Sequence, residues 1–93
     1  MKREERIEKI KQILKKHNIK KAYFFGSFAR KEKNYKDIDI AIVPPRGKFS
    51  LLDLVGLEQE MEETVKRPVD LMTLRSIRPA FRPYIKKDLQ VIL

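Results

Sequence analysis

The sequence predicts a small α/β (α+β) domain, one sheet with helices packed against one face. Three observations predict it. Residues 2–17 and 51–66 repeat their apolar side chains every three or four positions, as amphipathic helices do. Residues 22–25, 37–43 and 69–74 are short aliphatic runs with the length and alternation of strands. These elements follow in the order helix, strand, strand, helix, strand and a last helical segment, without internal repeats or linkers. A chain of 93 residues has room for one domain. At this size only somewhat more than roughly 60% of the unfolded surface is buried, so the core is modest.

The first helix carries Ile7, Ile10, Ile13, Leu14 and His17 on one stripe, and its polar face pairs Glu5 with Lys9 at i,i+4. Lys15 and Lys16 suit the negative end of the helix dipole, and Asn18 is a stop signal. His17, the only histidine, reads as a helix-end residue. After the second strand, Pro44-Pro45 breaks any central ladder and Arg46-Gly47-Lys48 makes a basic loop. Ser50 with Asp53 three residues on is an N-cap signature, and Phe49 with Leu54 fits a hydrophobic staple. The helix that follows buries Leu54, Leu57, Met61 and Val65, with Glu58, Glu60, Glu62 and Glu63 read as its solvated face. Pro68 ends it. The third strand places Asp70, Met72 and Leu74 on one face. Pro79 and Pro83 divide the last segment into two short pieces, with Phe81, Ile85 and Leu89 toward the core. Val91-Ile92-Leu93 closes the chain as a short edge strand or a contact for another chain.

The stretch from Lys20 to Val43 carries the chemistry. A hydrophobic strand ends in Gly26-Ser27, and the next strand brings Asp37 and Asp39 onto the face opposite Ile38, Ile40 and Ile42. Alternate strand residues stand roughly 6.5 to 7 Å apart, close enough for two carboxylates to converge on one ion or bridge two. An all-oxygen site of this kind suits Mg²⁺, which shares its positions with water and substrate phosphates. Gly26 permits close backbone approach, while Ser27 offers a hydroxyl and an N–H to a phosphate. A helix starting near Phe28 would aim its positive end at that phosphate. Arg30 and neighbouring lysines add positive charge. Metal-binding and anion-binding sides together are what nucleotidyl transfer from a nucleoside triphosphate requires.

Gly26-Ser27, Ala29-Arg30, Asp37-Ile38-Asp39 before an aliphatic strand, and Val69-Asp70-Leu71 resemble the minimal nucleotidyltransferases of the polymerase β superfamily over nearly the whole chain. The resemblance implies that family's mixed-sheet fold. It gives Gly26 and Ser27 the grip on the triphosphate, with Arg30 as helper, and Asp37, Asp39 and Asp70 the Mg²⁺ ions, with Asp70 also able to take a proton. Three positions depart from the pattern. Lys31 stands where a glycine is usual, Lys36 where a serine is common, and the spacer between Ser27 and Asp37 is one residue short. Members of this family are commonly antitoxins paired with an all-helical HEPN ribonuclease toxin, some adding AMP to one of its tyrosines. The resemblance thus implies ATP as substrate and a HEPN-type partner.

Lys and Arg total 22 against 13 Asp and Glu, a net charge of +9 that favours anionic ligands, nucleotide or nucleic acid. The same charge density, with no cysteine, is also a profile of proteins from hot environments. No apolar run is long enough to span a membrane and no signal-peptide core follows the charged start, so a cytoplasmic protein is expected. With no room for a second substrate domain, the acceptor falls to a partner or to a second copy in a homo-oligomer. Two other functions fit the composition. One is a non-catalytic module masking a partner through Glu58, Glu62 and Glu63. The other is a basic nucleic-acid-binding domain, for which no aromatic or recognition-helix motif is present.

Overall fold

A computed structural model describes residues 1–93. Along the chain come α1 (Arg3–Lys16), β1 (Lys21–Phe25), α2 (Gly26–Ala29), β2 (Ile38–Val43), α3 (Leu51–Val65), β3 (Val69–Thr73), a 3-10 turn (Leu74–Ser76), α4 (Arg82–Lys86) and β4 (Gln90–Val91). The strands form one mixed sheet in the order β3-β2-β1-β4, with β2 and β3 parallel and the other pairs antiparallel. No helix is long and apolar enough to cross a membrane.

Alternation along the strands divides the sheet into two faces. Ile38, Ile40 and Ile42 join Ala22 and Phe24 on the face covered by α1 and α3, which contribute Ile10, Leu14, Leu57 and Met61 to the main core. Phe25, Ala41 and Ile77 form a smaller cluster, packed by Met72, Ile85 and Leu89. The two long helices thus share one face, as the sequence predicts, while Ile85 and Leu89 join the other. The cause is topological. From β3 at one edge the chain must reach β4 at the opposite edge, and the face under α1 and α3 is already filled.

The Ser50 cap forms a full capping box: the Asp53 N–H donates to Ser50 Oγ at 3.2 Å and the Ser50 N–H to Asp53 Oδ2 at 2.7 Å. Asn18 ends α1 in the left-handed conformation, at φ 62°. His17 leaves the buried stripe and pairs with Glu60, which Lys16 also contacts. Arg6, which is not on the apolar stripe, is buried. It donates to Val65 O at the end of α3 (2.9 Å), to Met1 O (2.8 Å) and to the Tyr35 hydroxyl (3.1 Å). A guanidinium at a helix C-terminus satisfies a free carbonyl and meets the negative end of the dipole.

The acids of α3 are not all solvated. Glu62 Oε1 accepts from the Val69 N–H at 3.0 Å and Glu58 Oε2 from the Leu71 N–H at 2.9 Å. An edge strand exposes alternate N–H groups to foreign strands. Here the helix packed beside the edge occupies two of them with carboxylates, a use that helical periodicity cannot reveal because it depends on what lies across from the helix.

Candidate functional site

The site begins where β1 turns into α2. Phe25 is extended, and Gly26 follows at φ 69°, in the left-handed region open to glycine. Helix α2 starts here, two residues earlier than the sequence predicts, because the glycine makes the turn itself. The first N–H groups of a helix have no partner within it, and those of Gly26 and Ser27 fall at this end. Arg3 holds the other end: it donates to Phe28 O at 2.6 Å, its guanidinium 4.1 Å from the centroid of the Phe28 ring. Phe28 is fully buried against Phe24 and Tyr35. A helix of four residues is thereby fixed to the core from both sides.

Strand register brings the acids to the same place. Phe25 lies opposite Asp39 in the antiparallel pair, and Asp39 lies opposite Asp70 in the parallel pair. Directly opposed residues share a face, so both carboxylates project where α1 and α3 do not cover the sheet. Asp37 stands just before β2 and is exposed, as is Asp70, while Asp39 is half-buried. A Cβ added to Gly26 would overlap Asp39 Oδ2 and stand 3.2 Å from its Cγ. Gly26 and Asp39 therefore occupy one cradle that admits no other side chain.

Burial, then the negative charges of Asp70 and Asp37, push the Asp39 carboxyl up to about 6, with Arg30 pulling weakly the other way. The protein's ion pairs leave Asp37, Asp39 and Asp70 without a cation. This is an all-oxygen donor set whose mutual repulsion a divalent cation would relieve, and its chemistry fits Mg²⁺. No three acids are gathered closely enough to hold an ion by themselves.

Arg30 caps α2 beside these acids, but its guanidinium is engaged. It donates to Glu32 at 2.6 Å and to Asp88 at 2.7 Å, contacts that raise its pKa. Nothing in the local sequence pattern assigns Asp88 a role. The signal available was its isolation: Asp70 and Asp88 are the only acids after Glu63. The departure at Lys31 also has a structural meaning, since its φ of 61° is the conformation in which glycine is unstrained.

The chain is similar to known proteins in sequence and in fold. The profile of the polymerase beta nucleotidyltransferase family matches residues 8–93. A candidate protein adenylyltransferase of Methanocaldococcus jannaschii, MJ0435, is 47% identical over 81 residues, covering 86% of each chain. A second from that organism, MJ1217, is 39% identical over 93 residues, covering 90% of this chain and 91% of its own. Among solved structures, a candidate minimal nucleotidyltransferase superposes with a TM-score of 0.79 at 26% identity, covering 97% of this chain and 95% of that one. The fold recurs, at 21% identity and a TM-score of 0.77, in a complex of a tri-AMPylated Shewanella oneidensis HEPN toxin with its MNT antitoxin, covering 99% of this chain and 72% of that one. A profile matched over nearly the whole length and relatives of this identity show that the chain belongs to the polymerase β nucleotidyltransferase family.

Proposed function

We propose that the chain transfers AMP from ATP to a hydroxyl of a protein partner, with Mg²⁺, and that the partner is a HEPN-type toxin for which it serves as antitoxin. The observation that carries the chemistry is the register placing Asp39 beside Asp70 and against Gly26. The partner and the nucleotide rest on the relatives: candidate protein adenylyltransferases by name, a toxin–antitoxin structure with AMP-PNP, and an AMPylated toxin bound to its antitoxin. The reaction belongs in the cytoplasm, where ATP is available.

In this reading Asp37, Asp39 and Asp70 would hold the metal together with the bound triphosphate, and the metal would supply Lewis-acid charge there. The N–H groups of Gly26 and Ser27 and the Ser27 hydroxyl bind the phosphates. The acceptor oxygen bonds to the α-phosphorus, the bond from that phosphorus to the β-phosphate breaks, and pyrophosphate leaves. Asp70, exposed at the mouth, takes the acceptor's proton.

Calorimetric titration of ATP with Mg²⁺ into the wild type and into the Asp37→Asn/Asp39→Asn double variant tests the site. Metal-dependent binding by the wild type alone, with AMP found by mass on a co-expressed HEPN protein, is expected. Equal binding by both proteins would refute the assignment. The masking-module alternative loses ground, because Glu58 and Glu62, two of its three proposed contacts, are committed to the edge of β3.

A further inference from the structure

A groove of about 1090 Å³ lies between the loop after β2, the start of α3, the 3-10 turn and α4. None of Gly26, Ser27, Arg30, Asp37, Asp39 and Asp70 lines it. It opens at the C-terminal ends of β2 and β3, and the acids sit at their N-terminal ends. From Asp39 to Val43 is roughly 13 Å of strand.

Its lining is largely aliphatic, with Val43, Leu54, Met72, Leu74 and Leu89 among the contributors. The charged residues that line it are Arg75, Arg82 and Lys86, and no acid does. Leu51, in the lining, is 74% exposed and Leu52, beside it on the first turn of α3, 82%. The capping box that starts this helix uses Ser50 and Asp53, so the fold has no need of a leucine at 52. In a chain this rich in charge, contiguous exposed aliphatics mark a contact surface.

We propose that this groove is a docking surface for a protein segment whose apolar side chains are flanked by carboxylates. The proposal is independent of the transfer reaction. Charge selects the occupant. A second copy placing the same patch against itself would set Arg75, Arg82 and Lys86 against their own equivalents, and two chains of net charge +9 repel. Nucleic acid would meet the cations but find one aromatic, the half-buried Phe49 packed on the core, among aliphatics where bases need exposed flat faces. An acidic, apolar helix satisfies both the lining and the rim, in the manner of a helix laid in a groove.

The test uses the whole chain, isotope-labelled, and two synthetic amphipathic helices of equal length, one of leucine and glutamate, one of leucine and lysine. The first should shift the amide signals of Leu51, Met72, Leu74 and Lys86, and the second should bind at least about tenfold more weakly. Lys86→Glu and Leu52→Asp, both at exposed positions, should each weaken the first peptide by a similar factor while leaving the remaining spectrum intact. Equal binding of the two peptides, or shifts confined to other surfaces, would overturn the proposal. Self-association abolished by Leu52→Asp would assign the groove to a second copy instead, and oligouridylate shifting the same residues would assign it to nucleic acid.

Discussion

The Asp39 carboxylate occupies the space that a Cβ on Gly26 would take. Gly26→Ala therefore brings two penalties, the overlap and a left-handed φ that costs an L-residue about 1–2 kcal/mol. A loss of about 2–3 kcal/mol is expected in the unfolding free energy measured with denaturant. ATP binding should fail even where the variant is folded, since Asp39 must move. Near wild-type binding by a folded Gly26→Ala protein would show that the contact is incidental.

The raised Asp39 pKa makes the site a cost to the fold. Its carboxyl titrates at 3.8 when unperturbed and at about 6 when folded. Between these values the folded state holds more protons, so stability falls as pH rises through this window and the full cost is present above 6. Unscreened, the shift is worth ~3 kcal/mol. At a half-exposed carboxylate, screening reduces it to about 1 kcal/mol. Asp39→Asn should thus be the more stable protein at pH 7, with the advantage gone below about pH 3.8. Thermal unfolding across this range, with and without Mg²⁺, checks it, and the metal should stabilise only the wild type.

Much of this was legible because the strands alternate cleanly. Ile38, Ile40 and Ile42 against Asp37 and Asp39 fixed which face was core, and Ser50 with Asp53 fixed the start of α3. What stayed hidden depends on partners far apart in the chain. Arg6 looks like one more charge on a helix until Val65 and Tyr35 lie beside it. Glu58 and Glu62 look solvated until β3 becomes an edge, and Asp88 has no meaning until α4 brings it to Arg30.

Lys31 is an exposed residue at φ 61°, one position past the C-cap of α2. Lys31→Gly removes the left-handed strain at the expense of a more flexible unfolded chain, and should raise stability by about 0.5–1 kcal/mol. Lys31→Ala, which keeps the Cβ, should give no such gain. Comparing the two unfolding midpoints isolates the backbone effect from the loss of charge.

Glu58 and Glu62 cover the sheet edge at β3. Replacing both by alanine frees the N–H groups of Val69 and Leu71, and should cost about 2 kcal/mol in all. Glu58→Gln/Glu62→Gln, which keeps an acceptor oxygen at each position, should recover much of it. The alanine pair should also associate at high concentration, as an uncovered edge strand does. Sedimentation velocity showing only monomer would mean that another feature guards this edge.

Arg30 links the side of the site proposed to bind phosphate to the end of the chain. Its two acidic partners compete with any phosphate for the same guanidinium, and Asp88 is the one contributed by the α4 segment. Ion pairs this exposed add little to stability, so Asp88→Asn should leave the unfolding midpoint nearly unchanged. It should nonetheless tighten triphosphate binding several-fold, because the arginine no longer has to exchange one anion for another. Arg30→Ala should weaken binding and make Asp88→Asn silent in the double variant. Additive effects of the two substitutions on the calorimetric affinity would mean that Asp88 acts on the nucleotide by some route other than Arg30.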